Sequence, residues 1–120
     1  MNVKEILFSF KGRINRAKFL IYMFFIQLLF IMFVFLIYYF YKYNLSIVSE
    51  ILSIVASIFG IWTSLALYIK RWHDLDKSGW WILLIFIPII NLLVFIYLSI
   101  KKGTEGSNRF GKDPLNIQNG

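Results

Sequence analysis

The chain has 120 residues, of which 59% are hydrophobic, 20% aromatic and only 16% charged, and its formal net charge is +7. So short a chain has too little interior to bury this much apolar surface in water, which excludes a soluble enzyme and a disordered chain. The lack of cysteine excludes a disulfide-stabilised secreted fold, thiolate catalysis and cysteine-ligated metal.

Residues 1–18 form a basic N-terminal segment that mixes apolar and positively charged side chains. Its apolar residues include Ile6, Leu7, Phe8 and Phe10, and its cations are Lys4, Lys11, Arg13, Arg16 and Lys18. Such a mixture is typical of a segment that lies in the membrane interface, where cations are attracted to anionic lipid. The same residues fit equally well a basic flank that only sets the orientation of the next helix.

Three long apolar runs follow, over residues 19–41, 45–69 and 80–100. A helix that rises about 1.5 Å per residue needs about 20 residues to cross a hydrocarbon core of about 30 Å, and each run is long enough. Each must be helical, because lipid offers no hydrogen-bond partner to a free backbone group. The sequence therefore predicts an all-α membrane protein with three transmembrane helices in a single membrane domain over residues 1–120.

The positions of lysine and arginine predict the orientation of these helices, because such residues are enriched on the cytoplasmic side. Three crossings with a cytoplasmic N-terminus leave eight positive residues inside and five outside. Pro88 and Asn91 permit an alternative, in which residues 80–100 turn back as a re-entrant hairpin and leave twelve positive residues inside and one outside. Three crossings are preferred, because each arm of such a hairpin has only about ten residues. The side on which the irregular, glycine-rich tail at 101–120 lies depends on this choice.

The second run carries a face of small residues, which is what helix association in lipid requires. These residues are Ser53, Ala56, Ser57, Gly60 and Ser64. Their spacing predicts that the second helix is central to the bundle, with dimerisation as the alternative use of this face. Gln27 and Asn91 are polar side chains inside the membrane, and we expect them to hydrogen-bond to each other or to Ser57 rather than to bind a substrate or an ion.

Residues 70–79 form the densest polar cluster of the chain, around its only histidine. His73, Asp74 and Asp76 are neighbours that point in different directions, whereas a metal site needs three or four converging ligands. No nucleophile or oxyanion donor accompanies them, so the sequence predicts no catalytic residue, no metal and no cofactor. The cluster fits contact with lipid headgroups or a partner protein instead. The predicted contact residues are Arg13, Arg16, Arg71, His73, Asp74, Lys77 and Arg109.

Three polar sequence blocks stand next to the apolar runs. The first is Phe10-Lys11-Gly12-Arg13-Ile14-Asn15-Arg16, the second is Arg71-Trp72-His73-Asp74 followed by Lys77-Ser78-Gly79-Trp80-Trp81, and the third runs from Gly103 to Pro114. In these blocks the chain resembles the family called domain of unknown function 805, which consists of small bacterial inner-membrane proteins. The resemblance implies a multi-pass protein of the plasma membrane, with no established activity or catalytic residues. If the three blocks form one site, the hairpin alternative is favoured, because a third crossing puts the last block on the opposite side.

We expect a non-enzymatic helical bundle in the bacterial inner membrane, with a cytoplasmic N-terminus. Its basic face contacts anionic lipid headgroups or a partner protein, and membrane lipids or a second copy of the chain are the expected partners. The alternative is a small channel or transporter subunit that acts as an oligomer, since three helices alone hardly enclose a pathway. Nucleic acid is not an expected partner, because the positive charges stand beside membrane segments.

Overall fold

Five helical segments follow one another in the computed structural model, which describes residues 1–115. They are α1 (Val3–Phe8), α2 (Arg16–Lys42), α3 (Ser46–Asp74), a 3₁₀ helix (Gly79–Phe86) and α4 (Ile90–Ile100). Among the described residues there is no strand, only an isolated antiparallel bridge between Asn108 and Gly111. The all-α prediction is therefore confirmed for this part of the chain, and the last five residues of the predicted tail, 116–120, lie outside it.

The two longest helices, α2 and α3, contain the first two predicted spans. The side chain of Asn15 caps α2 by accepting a hydrogen bond from the backbone N–H of Lys18 at 2.8 Å. A short turn, in which Asn44 has φ +62°, reverses the chain, so that α3 packs against α2 in the antiparallel direction. Both helices are long and apolar enough to cross a membrane.

The outer surface of α2 is apolar along nearly its whole length. No residue in its most apolar stretch is buried, and Phe24 and Phe35 are 61% and 69% exposed. The core helix of a water-soluble protein would bury such side chains, because a large exposed apolar patch is an aggregation hazard in water. Hydrocarbon is the solvent in which this surface is stable.

The third apolar run does not form one continuous helix. The 3₁₀ helix ends at Phe86, and α4 begins only at Ile90, after a turn that contains Pro88. The backbone carbonyl of Ile100 accepts a hydrogen bond at 2.9 Å from Arg16, the first residue of α2. The run therefore starts and ends at the same end of the bundle, and the structure has the shape of the hairpin rather than that of a third spanning helix. Each arm is about 16 Å long at about 2.0 Å per residue for a 3₁₀ helix and about 1.5 Å for an α-helix.

The tip of this hairpin contains a strained residue. Ile89 has φ +70° and ψ −48°, a region that a β-branched residue rarely adopts. Because glycine adopts positive φ without a steric penalty, Ile89→Gly should raise the free energy of unfolding by about 1 kcal/mol, despite its greater chain entropy. Ile89 is 77% exposed, so little packing is lost. Thermal unfolding in detergent measures the change, with Ile90→Gly in the first turn of α4 as a control that should destabilise. Equal destabilisation by both variants would contradict the prediction.

Most of the tight packing lies at the end of the bundle where α2 begins and α3 ends. Its buried cluster consists of Ile6, Ile14, Phe19, Leu67, Trp72, Val94 and Leu98. Helix α3 contacts α1, α2 and the 3₁₀ helix, so it is the central helix, as the small-residue pattern predicts. We call this end, which also holds the N-terminal segment and residues 101–115, the basic end.

The small-residue face of α3 makes less close contact than its spacing suggests. Ala56 is buried, but a Cβ at Gly60 would meet no atom within 4 Å. Ser57 is exposed and Ser53 and Ser64 are half-buried. The face lines an open groove of about 430 Å³ between α2, α3 and the 3₁₀ helix.

The two polar side chains of the apolar runs stay apart. Gln27 lines the same groove and Asn91 lies in the first turn of α4, next to the hairpin tip, and both are exposed. Neither side chain forms a hydrogen bond with any residue between 1 and 115. The expected bond between them, or from either of them to Ser57, is therefore wrong; the hydroxyl of Ser57 donates to the carbonyl of Ser53 instead, at 2.7 Å.

Candidate functional site

The last residue of α3 is the centre of a buried ionic cluster, which consists of Arg13, Arg71 and Asp74. Nε of Arg13 donates to Oδ1 of Asp74 at 3.0 Å, and Nη1 of Arg71 donates to Oδ2. The three residues are only 5%, 0% and 3% exposed. Two guanidinium groups thus share one carboxylate away from solvent, so removing the carboxylate leaves two buried positive charges without their partner.

Arg13 also binds the segment that follows α4. We call residues 101–115 the strap, because they cross over the ionic cluster. The two Nη atoms of Arg13 donate to the carbonyl oxygens of Thr104 at 2.6 Å, Gly106 at 2.7 Å and Gly111 at 3.2 Å. The backbone N–H of Thr104 in turn donates to the carbonyl of Asp74 at 2.7 Å. The third sequence block is therefore joined to the first two.

Arg71 fixes the end of the hairpin. Its Nε donates to the carbonyl of Leu98 at 2.8 Å, and its Nη2 donates to the carbonyl of Lys101. These carbonyls belong to the last turn of α4 and its C-cap, where helices leave acceptors unsatisfied. A buried arginine at a helix C-terminus also interacts favourably with the helix dipole. Arg71 therefore holds α4 and α3 together at the basic end.

Gly103 leaves room for the Asp74 carboxylate. A Cβ at this position would overlap Oδ2 of Asp74 and lie 2.5 Å from its Cγ. Any side chain here has to displace either the strap or the carboxylate. Glycine is thus required at the start of the third sequence block, because the backbone there lies too close to the Asp74 carboxylate for any side chain.

A second set of contacts surrounds His73. The ring of Phe110 stacks on the imidazole at a centroid distance of 3.9 Å and an angle of 5°, and Nδ2 of Asn108 donates to the carbonyl of His73 at 2.9 Å. On the other side, Nδ1 of His73 is 3.0 Å from the carbonyl of Gly12. His73 thus connects the N-terminal segment with the strap and is a packing residue here.

Lys70 is a buried cation that the sequence pattern does not single out. It is 0% exposed, and its Nζ donates to the carbonyls of Glu5 at 2.7 Å and of Ile6. These contacts hold the short helix α1 against the end of α3. The only signal for this role in the sequence is a lysine directly after an apolar run, which equally well marks a membrane edge.

The strap is ordered around Asp113. Its carboxylate accepts hydrogen bonds from the backbone N–H of Leu115 at 3.0 Å and of Gly106 at 2.9 Å. These two bonds lower the pKa of Asp113, and the positive charge of Arg13 lowers it further. Asp113 therefore carries a negative charge close to Arg13.

The seven predicted contact residues fall into two groups. Arg13, Arg71, His73 and Asp74 are buried and bind the protein itself. Arg16, Lys77 and Arg109 are exposed. Arg109 pairs with Asp76 at 3.3 Å, and Nζ of Lys77 lies 5.1 Å from the ring centroid of Trp81. In this conformation only these three exposed residues of the seven can therefore contact lipid headgroups.

The distribution of charge over the whole molecule is one-sided. Lys42 lies at the turn between α2 and α3, and every other lysine and arginine lies in segments that meet at the basic end. Of those, Lys4, Lys11, Arg16, Lys77, Lys101, Lys102, Arg109 and Lys112 are exposed. An apolar exterior along two long helices with a basic end defines a small helical membrane protein.

Comparison with known sequences identifies the family. The chain belongs to the family described as protein of unknown function (DUF805), whose model matches residues 7–112 and so covers all of the first and second sequence blocks and most of the third. The resemblance of those blocks is confirmed. No solved structure matches the chain.

Three relatives come from Escherichia coli strain K12. Inner membrane protein YhaH is 45% identical over 64 residues, which cover 51% of this chain and 53% of that protein. Inner membrane protein YhaI is 54% identical over 50 residues, 42% of each chain. The chain therefore matches about half the length, or less, of these two relatives. The uncharacterized protein YiiR is 29% identical over an alignment of 143 positions, which covers 98% of this chain and 94% of that protein.

Proposed function

We propose that the protein is a non-enzymatic helical bundle of the inner membrane whose basic end lies in the cytoplasm and binds anionic lipid headgroups. The observation that carries this proposal is the position of every lysine and arginine except Lys42 at one end of the bundle. Such residues are enriched on the cytoplasmic side of membrane proteins, where the leaflet surface is negative. Two relatives are named inner membrane proteins, which supports the location.

In the topology that we propose, α2 and α3 cross the membrane and residues 79–100 re-enter from the cytoplasmic side. The two arms of the hairpin are each about half as long as the hydrocarbon core is thick, at about 30 Å. Backbone groups bond within the 3₁₀ helix and within α4, and both arms pack against protein. The turn between them, at 87–89, is exposed, but it has backbone hydrogen bonds of its own: the N–H of Ile87 donates to the carbonyl of Leu84, and the carbonyl of Ile89 accepts from the N–H of Leu93. Such internal bonds are what lipid requires of a backbone.

Single cysteines test this topology, because the chain has no native cysteine. We expect Ser46→Cys to react with a membrane-impermeant maleimide added from outside intact cells. Ser78→Cys and Ser107→Cys should react only after the membrane is permeabilised, because both lie at the basic end. Labelling of Ser107→Cys from outside would show a third crossing and contradict the proposed topology.

The exposed cations of the basic end are placed to meet lipid phosphates. Lys101 and Lys102 directly follow the hairpin, and Lys77 lies two residues before it. Trp80, three residues after Lys77, is 78% exposed, and tryptophan is enriched at the membrane interface. Each cation near an anionic leaflet contributes about 1 kcal/mol to lipid attraction, and salt screens this contribution.

Lipid binding can be measured from tryptophan quenching in vesicles that contain brominated lipid. Brominated phosphatidylglycerol should quench the intrinsic fluorescence more than brominated phosphatidylcholine, and raised salt should reduce the difference. The triple variant Lys77→Gln, Lys101→Gln, Lys102→Gln should bind phosphatidylglycerol roughly 10- to 100-fold less tightly. Lys42→Gln at the opposite end is the matched control. Equal quenching by the two lipids in the unmodified protein would overturn the proposal.

The groove between α2 and α3 favours a second candidate function, that of an oligomeric channel or transporter subunit. Gln27 and Ser57 present polar atoms in this groove of about 430 Å³. A second copy would have to close it, because it is open on its side. Solute flux through reconstituted vesicles that is lost on Gly60→Trp, with lipid binding unchanged, would favour this function over the first.

A further inference from the structure

The strap supplies Arg13 with the acceptors that an anion would supply. Its three carbonyl oxygens lie within 3.2 Å of the Nη atoms of Arg13, and the negative charge of Asp113 is nearby. A phosphate group offers the same combination of several oxygens and a negative charge, and a guanidinium binds it through two parallel hydrogen bonds.

Without the strap, the ionic cluster is left with excess positive charge. Arg13 and Arg71 then share only the carboxylate of Asp74, and the carbonyl of Lys101 no longer accepts from Arg71. The Nη atoms of both arginines then lack the carbonyl acceptors of the strap, and the negative charge of Asp113 is no longer nearby. An uncompensated charge at a membrane edge binds an anion of opposite sign if one is present.

The strap is held by few apolar contacts. No hydrophobic side chain between 101 and 115 is buried, and Leu115 is 61% exposed. Its main apolar anchor is the stack of Phe110 on His73. Segments with few buried apolar contacts open at a small free-energy cost.

A pocket leads from the surface to this cluster. It has a volume of about 120 Å³ and lies between the start of α2 and the strap. Arg16 and Lys102 line it, together with the carboxylates of Asp74, Glu105 and Asp113. Lys102, Glu105 and Asp113 all belong to the strap, so lifting the strap removes two of the three carboxylates, which repel a phosphate, together with one of the two cations.

We propose that the strap is an internal anion mimic which covers a phosphate site formed by Arg13 and Arg71, and that the phosphate of an anionic lipid headgroup displaces it. This inference rests on the proposed function, since it concerns the same basic end and the same class of lipid. The strap is thus an autoinhibitory cover. Binding of anionic lipid at the exposed lysines raises the local concentration of phosphate. Once the strap lifts, the two buried arginines form the tighter phosphate site.

The test uses the full chain in phosphatidylcholine vesicles with increasing phosphatidylglycerol. Phe110→Ala removes the stack on His73 and should increase the rate of tryptic cleavage at Arg109 and Lys112 at least fivefold without phosphatidylglycerol. It should also bind phosphatidylglycerol about 5- to 10-fold more tightly than the unmodified chain. In the unmodified chain, phosphatidylglycerol should itself increase strap cleavage.

Two controls accompany Phe110→Ala. Phe110→Trp keeps a stacking ring and should restore slow cleavage. Phe8→Ala removes an aromatic contact with Phe59, outside the strap, and should change neither readout. Adding Arg13→Lys to Phe110→Ala should abolish the gain in affinity, because lysine keeps the charge but loses the two parallel hydrogen bonds.

The outcomes separate the inference from the proposed function. Faster cleavage of Phe110→Ala with unchanged or weaker lipid affinity would overturn the inference, because the strap would then cover no binding site. Cleavage that does not rise in Phe110→Ala, or strap protection by phosphatidylglycerol, would also overturn it. If neither protein distinguishes phosphatidylglycerol from phosphatidylcholine, the proposed function itself fails.

Discussion

Asp74→Asn should lower the free energy of unfolding by about 3–5 kcal/mol, because it leaves the buried guanidinium groups of Arg13 and Arg71 without a carboxylate. The side chain of Asp74 is only 4% exposed, so water cannot replace the lost charge. We expect a large drop in the thermal midpoint in detergent and a loss of monodisperse protein. The lost carboxylate positions both Arg13, which binds the strap, and Arg71, which binds the end of α4, so the strap and the hairpin should loosen together.

Asp76→Asn is the matched control for this prediction. Asp76 lies two residues further on and pairs with Arg109, but its side chain is 46% exposed. Exposed ion pairs contribute at most about 1 kcal/mol, so the thermal midpoint should change little. Equal effects of the two substitutions would show that burial of the cluster does not determine stability at the basic end.

Gly103→Ala should destabilise the protein by about 2–3 kcal/mol, although it adds a single methyl group. The added Cβ overlaps Oδ2 of Asp74, so the strap or the carboxylate has to move and the contacts of Arg13 are lost with it. Thermal unfolding in detergent measures the loss. Tryptic cleavage of the strap at Arg109 reports whether the strap is the part that moves.

Gly60→Ala controls for the general effect of replacing a glycine. Gly60 is in the middle of α3, and a Cβ there meets no atom within 4 Å. Alanine is the better helix former, so this variant should be neutral or more stable by up to about 1 kcal/mol. A destabilisation at Gly60 as large as that at Gly103 would contradict the steric argument.

The two long helices are predictable from the sequence because hydropathy and length alone determine them. Their ends are less predictable: α2 begins at Arg16 rather than at 19, since Asn15 provides the cap, and α3 continues beyond 69 through Asp74. Polar residues do not end a helix whose last turn is held by tertiary contacts. The apolar runs mark where lipid solvates the chain, and the helices extend past that limit.

The shape of residues 80–100 is harder to predict, because an apolar run of this length suits a crossing and a hairpin equally well. Pro88 signals a break, but a proline is also tolerated inside a spanning helix. What decides between the two is the set of contacts that Arg16 and Arg71 make with the end of α4, and these bring together positions far apart in the chain. The three polar blocks are the useful signal for the hairpin, because they can meet at one end of the bundle only if residues 80–100 turn back to that end.

The burial of the site residues could not be predicted from the sequence. Arg71 and Lys77 look alike in a polar loop, yet the first is fully buried and the second is exposed. Whether a cation is paired inside the protein or free at its surface depends on the strap, which is some 30 residues further along the chain. Local spacing carries no information about such a pairing.

The half-length hairpin gives the molecule different widths at its two ends. In the proposed topology, four helical segments occupy the cytoplasmic leaflet, and only α2 and α3 continue into the other one. The protein therefore displaces more lipid area from the inner leaflet and has the profile of a wedge. Such a wedge fits best where the bilayer bulges toward the cytoplasm, and it resists the opposite curvature.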